Sequence, residues 1–225
     1  MRSLASGLLL LFSLQVHAFS LDEWRSWQSA TPAFQSRMEQ SRWLHEAEIR
    51  VHATGQLLFT PYRSLIWQWL TPEPRLVEFD KTGPLLNLKP SEDGTATAPP
   101  LEESDDNLPG EQLTAMLLLQ ALSGNLAALE KKYHLLLEGD RNDWQLILLP
   151  RERNDEVPKK ITLEGGRFIQ ALRATSSNGN ELTLELAEHQ RLVNPKGAEQ
   201  LATALRENAS STRDDDTDAE KENDA

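Results

Sequence analysis

Residues 55–74 read GQLLFTPYRSLIWQWLTPEP, and this stretch decides the fold. Apolar and polar side chains alternate through residues 49–59, and again through residues 64–70 after Pro61. Because side chains two residues apart point to the same side of a strand, the pattern predicts two strands, each with one apolar face. These faces either fill an ordinary core or line a surface kept for an apolar ligand. The side chains concerned are Leu57, Phe59, Leu65, Trp67 and Trp69.

Further strand patterns extend the same sheet. Residues 75–79 and 84–88 predict two more strands before the middle of the chain, and the alternation resumes after it. Strands joined by tight turns rich in Gly, Asn and Asp form an antiparallel meander. We therefore predict a single α+β domain built on one long, strongly twisted antiparallel sheet. The later strand segments are residues 133–137, 144–149, 161–164, 168–175 and 181–186.

Helical patterns precede the sheet. Residues 21–27 carry apolar side chains every three positions, which predicts an N-terminal helix. Thr31 suits the N-cap and Pro32 the first position of a second helix, with Phe34 and Met38 on one of its faces. The whole segment up to residue 46 is therefore predicted as helical.

The best helix pattern of the chain lies in its middle, at residues 111–123. Its apolar side chains follow the helical spacing and widen into a broad arc, and Gly124 ends the pattern. Asn125 can then cap a short second helix that runs to Glu130. The side chains that follow the helical spacing are Leu113, Met116, Leu117, Gln120 and Ala121.

The two ends of the chain differ in kind from this body. Residues 1–18 combine an early arginine, a short apolar run and a Val-His-Ala end, which is typical of a secretory signal peptide cleaved after Ala18. The run is shorter than the about 20 residues that a membrane anchor needs. We divide the chain into this signal peptide, a folded domain at 19–190, an extension with a short helix at 191–205, and a disordered acidic tail at 206–225.

Composition excludes several classes of function. The formal net charge is −12, whereas binding to nucleic acid or to an anionic membrane surface requires basic patches. The chain has no cysteine, so disulfides, thiol nucleophiles, Cys-based metal sites and lipid attachment to a cysteine are excluded. The acidic segment at 91–111 is predicted as a long surface loop.

Motifs of catalysis are missing as well. His45 and Glu46 resemble the start of a zinc-protease helix, but the next histidine, His52, comes seven residues on and in a strand pattern. His134 and His189 are isolated. No Gly-x-Ser-x-Gly motif and no phosphate-cradling loop occurs. We therefore predict that the protein is not an enzyme and that it holds no metal ion and no cofactor.

The order of these parts resembles one family. The segment FQSRMEQSRWLHE is followed by GQLLFTP, by the W-x-W and P-E-P motifs, by the helix pair, and by WQLILLP with its meander. This order resembles LolA, the periplasmic carrier of outer-membrane lipoproteins, over residues 21–189. The acceptor LolB shares that fold but requires a lipidated cysteine. The resemblance implies a half-barrel, in which the N-terminal helix and the helix pair cover the concave face of a strongly curved sheet.

The resemblance also implies a function. The chain is expected to be a periplasmic carrier or chaperone, a monomer that shields the acyl chains of a lipoprotein or another lipid between an inner-membrane donor and an outer-membrane acceptor. Exposing a 16-carbon chain to water costs about 12 kcal/mol, so such a carrier needs an apolar wall and a movable cover. The expected wall is Leu57, Phe59, Leu65, Trp67, Trp69, Val77 and Phe79, and the expected lid helix presents Leu113, Met116, Leu117 and Gln120.

One position departs from the family. The family has an arginine, used to hold the lid, just before the proline that ends the second strand, and here Thr60 stands before Pro61. Arg63 is the nearby polar group that could take this role. Two alternatives to a carrier stay open: the same residues fill a dry core, or the protein is a non-enzymatic periplasmic adaptor or lipid-sensing domain of an envelope export system.

Overall fold

The computed structural model describes residues 19–61, 64–88, 110–152 and 158–211. The expected signal peptide, the acidic loop up to residue 109, Arg63 and residues 212–225 lie outside these ranges. Expectations about them therefore stay predictions.

The described residues form ten strands and four helices. None of the described helices is both long enough and apolar enough to cross a membrane. The helices are α1 (Leu21–Ser29), α2 (Glu111–Leu122), α3 (Leu126–Glu130) and α4 (Pro195–Ser211). The strands are β1 (Phe34–Leu44), β2 (Ile49–Thr60), β3 (Ser64–Thr71), β4 (Arg75–Asp80), β5 (Gly83–Leu88), β6 (Tyr133–Gly139), β7 (Trp144–Pro150), β8 (Lys160–Gly165), β9 (Ile169–Thr175) and β10 (Glu181–Arg191).

All ten strands belong to one sheet, in the order β5-β4-β3-β2-β1-β10-β9-β8-β7-β6. Every neighbouring pair is antiparallel, and the two meanders join where β1 pairs with β10. β5 and β6 stand at opposite ends of this order, so the sheet is not closed, and α2 and α3 lie between them in the chain. The predicted α+β half-barrel with one antiparallel sheet is confirmed.

The prediction of a second N-terminal helix from Thr31 is wrong. Phe34–Leu44 form β1, the strand at which the two meanders join. Phe34 and Met38 are four residues apart, which suits one face of a helix, but an even spacing also puts both on one face of a strand. β1 pairs with β2 on one side and β10 on the other, and this long-range pairing overrides the local helix signal.

The sheet carries an apolar layer on each side. We call the side that includes Leu57 and Trp67 the inner face, and its side chains pack in one cluster with α1, α2 and α3. The opposite side is the outer face, on which Leu58, Ile66 and Leu76 pack under α4. Because successive strand residues point to opposite sides, β2, β3 and β4 contribute to both layers.

Helix α4 corrects the predicted start of the acidic tail. The helix continues to Ser211, past the boundary that we predicted at residue 206. Ala202, Leu205 and Ala209 share one helix face and are buried against the outer face. Of these three residues only Ala209 lies beyond the predicted boundary, where charged residues dominate the sequence, which is why we ended the ordered chain too early.

Candidate functional site

The predicted wall forms on the inner face of β2, β3 and β4. All of its side chains belong to one cluster and are at most 6% exposed. Trp69 lies beside Trp67, with the ring centroids 5.3 Å apart. The other wall residues form two rows of cross-strand neighbours, Leu57–Trp67–Val77 and Phe59–Leu65–Phe79.

Helix α2 lies over this wall and contacts β3, β4 and β5. Of the predicted lid residues, Leu117 is buried, whereas Leu113, Met116 and Gln120 are only half-buried. The sequence failed to single out the deepest side chains because the apolar arc of this helix is wider than one face. The α2 side chains with no exposure are Ala115, Leu118, Ala121 and Leu122.

The inner face extends well beyond the predicted wall. Strands β6 to β10 add a second apolar half, in which Trp144 meets Trp24 of α1 edge to face at 5.4 Å. The alternation of apolar and polar side chains in these strands could have identified this half, but the sequence offered no aromatic motif there to draw attention to it. Its buried side chains include Leu146, Leu148, Ile161, Leu163, Leu172, Leu182 and Leu184.

The inner face is exposed at one margin. Ile49 and Val51 stand on the same side of β2 as Leu57, because all three positions are odd. Their exposed fractions are 49% and 44%, whereas Leu57 has none. The apolar surface therefore continues from the covered wall to the β1–β2 hairpin, where water reaches it.

Two hydrogen-bond donors on the inner face of the sheet have no partner among the described residues, and a third, Trp24 Nε1, lies on α1, which packs against that face. Ser36 Oγ and Trp67 Nε1 are both buried, at 2% and 1% exposure of their residues. Ser36 pairs with Leu57, which pairs with Trp67, so the two donors flank one leucine in a single cross-strand row. Sequence reasoning missed Ser36 as a residue of the inner face, because its segment was predicted to be helical.

Thr60 has a local role at the position of the family's arginine. Its hydroxyl accepts a hydrogen bond from the Ser64 backbone N–H at 3.1 Å and lies 3.0 Å from the Ser64 carbonyl oxygen, to which it donates. These contacts join the end of β2 to the start of β3. Thr60 therefore stabilises the turn between β2 and β3. Arg63, the predicted substitute for the family's arginine, lies outside the described residues.

The histidines do not form a reactive site. His189 Nε2 lies 2.9 Å from the Ile169 carbonyl oxygen, and its ring stacks on Phe168 at 4.8 Å. Burial is the main influence on this ring and lowers the pKa of His189 below its ordinary value of 6.5. In the part of the chain that the structure describes, no group of His, Asp and Glu side chains is arranged to hold a metal ion.

Comparison by sequence finds no relative. No protein-family model matches the chain, and no curated protein sequence matches it.

Comparison by structure does find similar proteins. A LolA superfamily protein from Nitrosomonas europaea is 10% identical, with a TM-score of 0.44, and the match covers 79% of this chain and 96% of that one. In the MucA/MucB complex of Pseudomonas aeruginosa the matched chain is 11% identical, with a TM-score of 0.45, and the match covers 79% of this chain and 60% of that one. Because both identities are near 10% and both TM-scores are below 0.5, the function has to be argued from the chain's own residues.

Proposed function

We propose that this chain is a periplasmic carrier that shields the acyl chains of a lipoprotein or another lipid-like cargo on its way to the outer membrane. The inner face of β2, β3 and β4 is the binding wall, and α2 is the movable cover. The protein works as a monomer and without catalysis. It receives its cargo from an inner-membrane donor and delivers it to an outer-membrane acceptor.

The observation that carries this proposal is the way in which α2 is attached. Helix α2 contacts β3, β4 and β5 through side chains and lies in the connection between the two end strands of the sheet. Its N-cap residue, Gly110, has no side chain that could hold the first turn. Displacing α2 therefore breaks apolar contacts but no hydrogen-bonded ladder between strands.

An acyl chain can replace the contacts that α2 makes. Burying one leucine side chain is worth about 2 kcal/mol, so exposing the four buried leucines of α2, which are Leu117, Leu118, Leu119 and Leu122, costs roughly 8 kcal/mol. Transfer of a 16-carbon chain out of water is favourable by about 12 kcal/mol of free energy. By these magnitudes the exchange of helix for acyl chain is favourable, whereas without a ligand the helix stays on the wall.

The exposed margin of the inner face supplies an entrance for the cargo. Ile49 and Val51 offer an apolar surface that is open to water and continuous with the wall through Ala53, which packs against the inner cluster. A chain that first binds at the β1–β2 hairpin can reach Leu57 and Trp67 along one face of the same sheet.

The alternative is an adaptor or lipid-sensing domain with a dry core and no cargo. The observation in its favour is that the whole wall is at most 6% exposed beneath the helices, as in an ordinary core. Such a protein would use its surface to bind a partner, and its inner face would serve stability alone.

Analysis of bound lipid separates the two functions. The protein is purified without detergent from cells that export it, extracted with organic solvent, and the extract is examined by mass spectrometry. We expect about one acyl lipid per wild-type protein, and loss of it in Trp67→Glu, which places a charge in an apolar site. Leu70→Glu is the matched control, since Leu70 lies on the same strand but is 50% exposed. Absence of lipid from the wild type would favour the adaptor.

A further inference from the structure

The two unpartnered donors of the inner face point to the chemistry of the ligand. Ser36 Oγ and Trp67 Nε1 are nearly inaccessible to water, and neither has a hydrogen-bond partner among the described residues. Buried polar groups in native proteins are nearly always paired, because an unpaired one loses its bond to water without compensation. A dry core would gain nothing from keeping a hydroxyl at this position.

The arrangement of the two donors is defined by the sheet. Ser36 on β1 and Trp67 on β3 stand on either side of Leu57 on β2. Ser36 also faces an irregularity in the pairing of β1 with β10, between Gln35 and Arg37. Bulges of this kind often lie next to binding sites, where they adjust the direction of a side chain.

The donors select an acceptor that carries no charge. An indole N–H can only donate, so the complementary ligand atom must accept a hydrogen bond. The flanking residues in the row, Leu57 and Val77, are apolar and supply no cation for a carboxylate. A buried carboxylate without a partner is far more costly than a buried neutral carbonyl, whose acceptor oxygen these donors can satisfy.

We propose that Ser36 and Trp67 form a carbonyl-binding pair within the inner face, which recognises an acyl lipid by the carbonyl oxygens of its ester linkages. This inference rests on the proposed carrier function and adds its ligand class: an esterified acyl lipid is preferred over a free fatty acid and over an alkyl lipid of the same length. The apolar wall binds the chain, and the pair determines how far the chain enters.

A matched pair of ligands tests this preference. Monolaurin has an ester carbonyl, and 1-O-dodecylglycerol has the same chain length and headgroup but an ether in its place. Both are titrated against the exported protein by calorimetry, below the concentration at which they form micelles. We expect monolaurin to bind about tenfold more tightly, which corresponds to about 1.4 kcal/mol.

Variants assign the preference to the pair. In Ser36→Ala/Trp67→Phe the ratio of the two affinities should fall from about tenfold to about one, because the ester carbonyl loses both donors. Trp43→Phe is the control, because its ring lies under Arg50 and not in the inner cluster, and it should keep the tenfold preference. Circular dichroism checks that each variant is folded, and the comparison of ligands on the wild type needs no variant at all.

Each outcome has a distinct meaning. Equal binding of both ligands by the wild type would overturn the carbonyl-binding pair and leave the carrier function intact. A preference that persists in the double variant, or tighter binding of free laurate, would also overturn the pair. If neither ligand binds, the carrier function itself fails.

Discussion

Glu78 and Arg206 form the ion pair that joins α4 to the outer face. The guanidinium Nη2 and Nε lie 2.8 Å and 2.9 Å from the two carboxylate oxygens of Glu78, so the contact is bidentate. The Glu78 side chain is only 9% exposed and that of Arg206 is 32% exposed. Hydrogen bonding to Glu78 is the main reason why the pKa of Arg206 is raised above its ordinary value, so the guanidinium is charged throughout the neutral range.

Removing one partner of this pair should destabilise the protein more than removing both. We expect Arg206→Met to lower the free energy of unfolding by about 3 kcal/mol, because it leaves the carboxylate of Glu78 buried and uncompensated. The double variant Arg206→Met/Glu78→Leu should recover most of this loss, since no buried charge remains. Urea unfolding measures both values, and a double variant at least as unstable as the single one would contradict this account.

His189 should make stability depend on pH in a defined direction. Its pKa in the folded protein is lowered, chiefly by burial, so the unfolded chain takes up a proton at a higher pH than the folded chain does. The stability that the neutral His189 ring contributes to the folded protein is therefore fully present above the ordinary pKa of 6.5. It is lost as the pH falls through that value towards the folded pKa.

The melting temperatures of wild type and His189→Gln provide the test. Between about pH 7.5 and about pH 5.5, the wild type should lose more in melting temperature than the variant, whose amide can still donate to the Ile169 carbonyl but cannot be protonated. An equal loss in both proteins would show that His189 has no part in the pH dependence.

At the scale of elements, sequence patterns predicted the other strands and their turns but missed β1, the strand at which the two meanders join. The alternation in β10 is visible because Leu182, Leu184 and Leu186 are buried and the residues between them are not. In β1, Phe34 and Met38 fit a helix and a strand equally well, and its neighbours β2 and β10 come later in the chain. Pairing with strands that are distant in the sequence decides between helix and strand here, and a local sequence pattern contains no information about that pairing.

Helix α2 should be the element that responds to ligand. Helix α2 packs on the sheet with apolar side chains, whereas β1 and β2 are held by hydrogen-bonded ladders on both sides. We expect hydrogen exchange of the α2 backbone amides to change on addition of monolaurin while that of β1 and β2 stays the same. Helix α4, which covers the outer face, is the internal control. Ligand binding without any change at α2 would exclude this helix as the cover.

Helix α4 should contribute a large part of the stability, and the segment beyond it should contribute little. A chain that ends at Asn194 uncovers Leu58, Ile66 and Leu76, which at about 2 kcal/mol each costs roughly 6 kcal/mol. A chain that ends at Ser211 keeps these contacts and removes a segment with no apolar residue larger than Ala. Urea unfolding of both truncations tests the difference, and similar midpoints would mean that α4 does not stabilise the outer layer.

At the scale of the whole molecule, the two faces of one sheet are covered in different ways. The outer face is closed by α4 with a bidentate ion pair at its centre. The inner face is closed by α1, α2 and α3 through side-chain packing, and it runs out to an exposed apolar margin at Ile49 and Val51. Because of this difference, we expect the outer layer to stabilise the fold and the inner layer to exchange its helical cover for ligand.

The candidate site was only partly visible in the sequence. Every predicted wall residue lies on the inner face, because strict alternation identifies which side chains share a strand face. The second half of that face and the position of Ser36 depend on which strands become neighbours. Such neighbours are separated by up to about 150 residues in the chain, as Phe34 and Arg191 show, and no local pattern specifies them.

The most direct test of the account is contact between an acyl chain and the tryptophans of the wall. A bromine atom on the acyl chain of a monoacylglycerol quenches tryptophan fluorescence only when it touches the ring. We predict saturable quenching in the wild type and in Trp43→Phe, whose ring lies under Arg50 and not in the inner cluster. Quenching should be largely lost in Trp67→Phe/Trp69→Phe. Absence of quenching in the wild type, or equal quenching in all three proteins, would contradict the claim that the wall on β2, β3 and β4 binds acyl chains.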